Sequence, residues 1–154
     1  MKVEVVRSPR RRKTVEARVV DDVLRVSIPA TMTRAEERRW VEEMLGRAQR
    51  QAAAEQVELT RRARELATLY RLPRPRRARW VDNQRQRWAS CTPADHSIRV
   101  SNRAAAFPGW VVDYLVVHEL AHLVEPGHGQ RFWNLVNRYP LAERARGFLL
   151  AKEG

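Results

Sequence analysis

From Trp110 to Val124, apolar residues occupy nearly every side of a helix: Val111, Val112, Leu115, Val116, Val117, Leu120, Ala121, Leu123 and Val124. A helix with no polar face is buried inside a fold. Yet this one carries His118, Glu119 and His122. Two imidazoles and a carboxylate are costly to bury unless they find partners. Positions i and i+4 share a helix face, so His118 and His122 can present two ring nitrogens to one metal ion. Glu119 stands one position on, within reach of a water on that metal. Pro126 and Gly127 end the helix, and His128 beyond them can fold back as a third ligand. Three ligands leave a fourth position open, which is the layout of a catalytic zinc site and not a structural one. Two core histidines satisfied by ordinary hydrogen bonds are the alternative, and the buried setting favours the metal.

The rest of the chain supplies a small mixed scaffold. Lys2 to Val6, Thr14 to Val20 and Val23 to Ile28 alternate in polarity, with Asp21-Asp22 as a turn, so an N-terminal antiparallel sheet of two or three strands is expected. Thr33-x-x-Glu36 is a capping box that starts a helix. Trp40, Val41, Met44, Leu45 and Ala48 give its first apolar stripe, and Leu59, Ala63, Leu66, Ala67 and Tyr70 a second. A break is expected near Gly46 or within the polar 49–58 stretch, and Pro73 and Pro75 stop the helix by about Arg71. Strands follow at Arg79 to Asn83, Arg87 to Cys91 and Ser97 to Ser101, then helices after Pro108, from Gln130 to Arg138 and from Leu141 to Lys152. Sheet, long helix, sheet and helices make an α+β domain. One domain is expected over 1–154, with 1–30 as a β-hairpin region, 33–71 helical and 79–152 the catalytic core.

Composition narrows the setting. One cysteine, Cys91, excludes an internal disulfide and suits a reducing cytoplasm. The charged start predicts no signal peptide, and no run approaches the ~20 apolar residues of a membrane span. The expectation is a soluble, cytoplasmic protein without a membrane partner. The chain carries 30 Lys and Arg against 18 Asp and Glu, a net charge of +12. Arg10-Arg11-Arg12-Lys13 and the group Arg74, Arg76, Arg77 and Arg79 are candidate nucleic-acid contacts, although a solvated basic face is the default reading of such runs.

Zinc on three neutral imidazoles lowers the pKa of its bound water towards ~7. Glu119 can then serve as general base and not as a ligand. The spacing of His118, His122 and His128 equals that of the metzincins, but Glu125 stands at their glycine position and no methionine follows Met44. A distant glutamate as third ligand, Glu125 or Glu143, ranks below His128. Tyr114, one turn before His118, is a candidate oxyanion donor against the plainer reading of a core tyrosine. Asp113, Ser90, Asn102 and Asn134 are candidate partners for the ligand histidines. Trp88 and Trp133 are expected to pack on the metal helix, Cys91 to be a buried thiol, and His96 to be exposed in a turn.

Several segments occur in a telling order: Arg87-Trp88-Ala89-Ser90-Cys91, then Ile98-Arg99-Val100-Ser101-Asn102, then Tyr114 through Leu123, then Gly127-His128-Gly129-Gln130-Arg131-Phe132-Trp133. This resembles the YgjP-like metallopeptidase-domain family, with its R-W-G-S-C, I-R-L-N, Y-V-V-x-H-E-L-x-H-L and N-H-S-x-x-F-W pattern. More distantly, it is similar to the SprT-like zinc proteases. Ala89 replaces the usual glycine, and Gly127-His128-Gly129 the commoner N-H-S. The resemblance implies a zincin-like fold, zinc on His118, His122 and His128, and Glu119 as base. It also implies a sheet beside the metal helix whose edge strand can pair with an extended peptide. Arg87 and Asn102, within the matching segments, join Tyr114 as candidate contacts to substrate or oxyanion.

Three functions compete. The first is a zinc metallopeptidase acting on a peptide or protein, with nucleic-acid-associated proteins among the candidate substrates. The second is a metal-dependent hydrolase of a phosphoanhydride such as a nucleoside triphosphate, with Arg85, Arg87, Arg99 and Arg103 neutralising phosphates. The third is a non-catalytic nucleic-acid-binding protein that keeps zinc for stability.

Overall fold

The computed structural model describes residues 1–153. Two compact units divide them, Met1–Ala54 and the chain from Glu55 on.

In the first unit β1 (Lys2–Ser8), β2 (Glu16–Val20) and β3 (Val23–Pro29) form one sheet in the order β1-β3-β2. β2 and β3 are an antiparallel hairpin, Val20 opposite Val23. Asp21 and Asp22 both take positive φ, 50° and 61°, as a two-residue turn of the type that matches strand twist requires. β1 departs from expectation. It pairs with β3 in parallel, Lys2 opposite Val23 through Ser8 opposite Pro29, so the sheet is mixed and not wholly antiparallel. The physical reason is the length of the Pro9–Val15 connection, which carries the chain past β3 to its far edge instead of folding straight back. Leu24, Val26 and Ile28 on β3 are fully buried, packed with Val3, Val15, Met32, Met44, Leu45 and Ala48.

The helix α1 runs unbroken from Arg34 to Leu69, without the expected interruption. Its capping box forms: Glu36 N–H donates to Thr33 Oγ1 at 3.2 Å, and Thr33 N–H to Glu36 Oε2 at 3.4 Å. Gly46 costs only about 1 kcal/mol against alanine, too little to break a helix of this length. The chain leaves the helix through Arg71 in the left-handed region (φ 53°), where Leu72 N–H donates to Ala67 O at 2.8 Å.

In the second unit β4 (Arg77–Val81), β5 (Ala89–Thr92) and β6 (Ser97–Ser101) form a sheet ordered β4-β6-β5, β4 parallel and β5 antiparallel to β6. The free edge of β4 is met by side chains of α1. Thr60 Oγ1 donates to Ala78 O (2.9 Å) and accepts from Ala78 N–H (3.1 Å). The Gln56 amide bridges Trp80 O (3.1 Å) and Trp80 N–H (2.8 Å). An otherwise open strand edge is thereby satisfied. Three helices follow: α2 (Gly109–His122), α3 (Gln130–Val136) and α4 (Ala142–Glu153). α2 packs on β5, β6, α3 and α4. Its Val111, Val116, Val117, Leu120 and Ala121 are fully buried with Leu66, Ile98, Val100, Phe132 and Val136. The α+β class is what the residues predict and the zincin-like fold what the resemblance implies, with strand and helix ends moved by one or two positions. No helix among the described residues is long and apolar enough to cross a membrane.

Candidate metal centre

The last turn of α2 carries His118 and His122 on one face, as the spacing requires. Glu125 follows the helix end, and Pro126-Gly127 turns the chain so that His128 faces back. One nitrogen from each of His118, His122 and His128 lies within 4.8 Å of the other two. Nε2 of His122 and Nε2 of His128 are 3.0 Å apart. Two imidazoles on one tetrahedral zinc, at 2.0–2.1 Å each, would stand about 3.4 Å apart. The donor set fits such an ion. Among the described residues no other group of His, Cys, Asp or Glu is so placed, and Glu125 and Glu143 stay outside the cluster.

Protonation points the same way. Burial pushes His118 down to about 3, helped by neighbouring His122 and His128 and by Arg146. Burial also lowers His122, opposed by its bond to the Glu125 carbonyl. Both rings are neutral near pH 7, the form that can ligate. Each has its other nitrogen engaged. His122 Nδ1 meets Glu125 O at 3.0 Å and His118 Nδ1 the Tyr114 hydroxyl at 3.3 Å. An Nδ1–H donated to the carbonyl leaves Nε2 of His122 with its lone pair exposed. Phe132 fills the floor, stacked on His122 with ring centres 4.3 Å apart. Trp133 stacks on His128 at 6.0 Å and carries Arg146 over its ring at 4.1 Å.

Beside the histidines opens a cavity of about 530 Å³, lined by Arg87, Ser90, Cys91 and Glu119 among others. Glu119 is 6% exposed. Burial raises its carboxyl to about 7, against the lowering effect of the Cys91 thiol, which bonds to it, and of Arg87 and Arg99. The thiol of Cys91 is raised in turn to about 11, chiefly by burial and then by the Glu119 charge.

The structure brings Arg87 to this cavity but not Asn102, which opens a short 3₁₀ turn and whose carbonyl accepts from Ala105 N–H (3.1 Å). Tyr114 is buried behind His118 and does not line the cavity. The expected partners of the histidines are engaged elsewhere. Asp113 binds Arg62 (3.0 and 2.6 Å), Ser90 accepts from Arg99 (3.1 Å), and Asn134 accepts from Gln130 (2.7 Å). Tyr114 and the Glu125 carbonyl take that place. A backbone carbonyl leaves no signature in side-chain identity. Cys91 does leave one, since strand alternation puts it with Ala89 on the face turned to α2. His96 is exposed in the β5–β6 turn, as expected.

Comparison with known proteins bears on the fold and the family. The chain is similar to the metallopeptidase zymogen of Pyrococcus abyssi abylysin, whose crystal structure superposes with a TM-score of 0.54 at 18% identity. The match covers 61% of this chain and 93% of that one, and at such identity it speaks to the fold alone. No curated protein matches the chain significantly in sequence. A family model does, over residues 13–149, and by that match the chain belongs to the YgjP-like metallopeptidase-domain family.

Proposed function

We propose that this chain is a zinc metallopeptidase, working as one catalytic domain, in which His118, His122 and His128 hold the metal and Glu119 is the general base. The observation that carries the reading is the cluster of three histidine nitrogens within 4.8 Å beside a buried carboxylate. All three donors are imidazoles, which suit zinc well without excluding other divalent metals. A bound zinc would supply Lewis acidity toward a water and a peptide carbonyl.

The chain's own residues do the rest. Glu119 accepts the proton of the attacking water and returns it to the departing amide nitrogen. Without metal, burial raises that carboxyl to about 7, and beside a bound zinc it would return toward the ionised base that takes up a proton near neutral pH. The Cys91 thiol holds one side of that carboxylate. Tyr114 and the Glu125 carbonyl fix the rings of His118 and His122. β5 is an edge strand next to α2 and offers backbone groups to an extended peptide. Arg87, at the cavity, is placed to touch that substrate.

The phosphoanhydride reading keeps one supporting observation, the Arg87 and Arg99 charges near Glu119. One experiment separates the two. Zinc-loaded protein is incubated with an unfolded test protein, and with nucleoside triphosphate in parallel, before and after chelation. New peptide termini that vanish with chelator and return with zinc support the peptidase; phosphate release alone supports the other.

A further inference from the structure

The second sheet has two faces of opposite character. Alternation places Ala78, Ile98, Val100 and Ala89 toward α2 and the core, where all are buried. The same register sends Arg77, Arg79, Arg99, Ser90, Thr92, Ser97 and Ser101 to the opposite face. Arg79 and Arg99 are direct partners on neighbouring strands. Like charges so placed repel unless something lies between them.

Asp95 and Glu119 offset part of the Arg99 charge. Among the described residues neither Arg77, Arg79, Arg99 nor the adjoining Arg103 takes part in an ion pair. On α1, Arg47, Arg61 and Arg62 pair with glutamates one turn away, whereas strand register gathers Arg77, Arg79 and Arg99 on one face with no such carboxylate between them. Arg99 is held over the sheet by hydroxyls alone: Ser90 (3.1 Å), Thr92 (2.9 Å) and Ser97 (3.4 Å). The Ser90 and Thr92 hydroxyls that accept from Arg99 keep a hydrogen to donate, while that of Ser97 goes to Asp95. Arg79 Nε is buried without any partner. The one carboxylate at the end of the face, Asp95, is engaged with Ser97, whose N–H it accepts at 3.0 Å. A cavity of about 390 Å³ opens there between Arg76, Arg77, Asp95 and Ser97.

A surface that offers donors in excess, fixed guanidinium forks and little apolar area calls for phosphate oxygens. We propose that this outer face, with Arg77, Arg79 and Arg99 at its centre, binds the phosphate backbone of a nucleic-acid strand. Arg77 and Arg79 stand on β4, at the opposite edge of the sheet from β5, the strand that borders the metal cavity. The inference stands apart from the peptidase reading and survives its failure.

The test compares three proteins by fluorescence anisotropy with a labelled single-stranded oligonucleotide at several salt concentrations. They are the wild type, the double variant Arg77→Gln/Arg79→Gln, and a control that loses equal charge at exposed positions of α1, Arg38→Gln/Arg39→Gln. The face variant should bind about tenfold more weakly at 0.1 M salt, with a salt slope lower by about 1.4, two phosphate contacts at about 0.7 each. The control should change about twofold or less. Unchanged zinc binding and melting temperature show that the face variant is folded. If it is not, Arg77→Gln alone must lower the slope by about 0.7. Inorganic phosphate at matched ionic strength is the second arm. Phosphate binding that depends on the same residues, without oligonucleotide binding, overturns the nucleic-acid assignment. Equal losses in both variants, or no oligonucleotide binding at 50 mM salt, overturn it as well.

Discussion

Nε2 of His122 lies 3.0 Å from Nε2 of His128, while the other nitrogen of His122 is bound to the Glu125 carbonyl at 3.0 Å. If Nδ1 donates to that carbonyl, both nitrogens of the close pair cannot be bare acceptors without repulsion. A shared cation relieves it. Wild-type protein should therefore take up one zinc per chain, and His128→Ala should lose affinity by more than 100-fold. Tyr114→Phe removes only the hydroxyl at His118 Nδ1 and should cost about tenfold, the lower end for a residue that orients a ligand. Competition with a fluorescent chelator reads both. Equal affinity of His128→Ala and wild type would remove His128 from the site.

Cys91 should be a slow nucleophile in the metal-free protein. Burial and the Glu119 charge raise its thiol to about 11, and only the thiolate reacts. The sign is that of a raised acid: the reactive form is scarce at pH 8 and grows as pH rises through about 11. Alkylation by iodoacetamide should thus be far slower at pH 8 than for a free thiol and climb steadily above pH 9. A rate that levels off below pH 9 would contradict the setting described for Glu119 and Cys91.

Thr60 satisfies both backbone groups of Ala78 through one hydroxyl. Thr60→Ala orphans a donor and an acceptor at a fully buried residue, at a cost of about 1–3 kcal/mol each before water or the strand adjusts. Urea denaturation should show a loss of at least about 1 kcal/mol, with Thr60→Ser much closer to wild type. A neutral Thr60→Ala would mean that the β4 edge is satisfied some other way.

The metal helix was legible because its chemistry is local. His118, Glu119 and His122 sit at fixed helical offsets within a segment too apolar to be anything but buried, and Pro126-Gly127 announces the turn that returns His128. The buried stripe of α1 and the capping box were legible for the same reason. What was hidden depends on which elements become neighbours. Alternation identifies β1 as a strand but does not reveal that it pairs in parallel with β3. Asp113 looked like a partner for a histidine until α1 brought Arg62 to it. The Glu125 carbonyl, which orients His122, could not be read from side-chain identity at all.

The central claim is that Glu119, and not merely a folded metal site, drives peptide hydrolysis. The most direct test is mass-spectrometric detection of cleavage of an unfolded test protein by zinc-loaded wild type and Glu119→Gln, with zinc counted in the same samples. The account predicts one zinc in each and a rate at least about 100-fold lower in Glu119→Gln, the low end for loss of a general base. Equal cleavage by both proteins, with zinc bound in both, would contradict it.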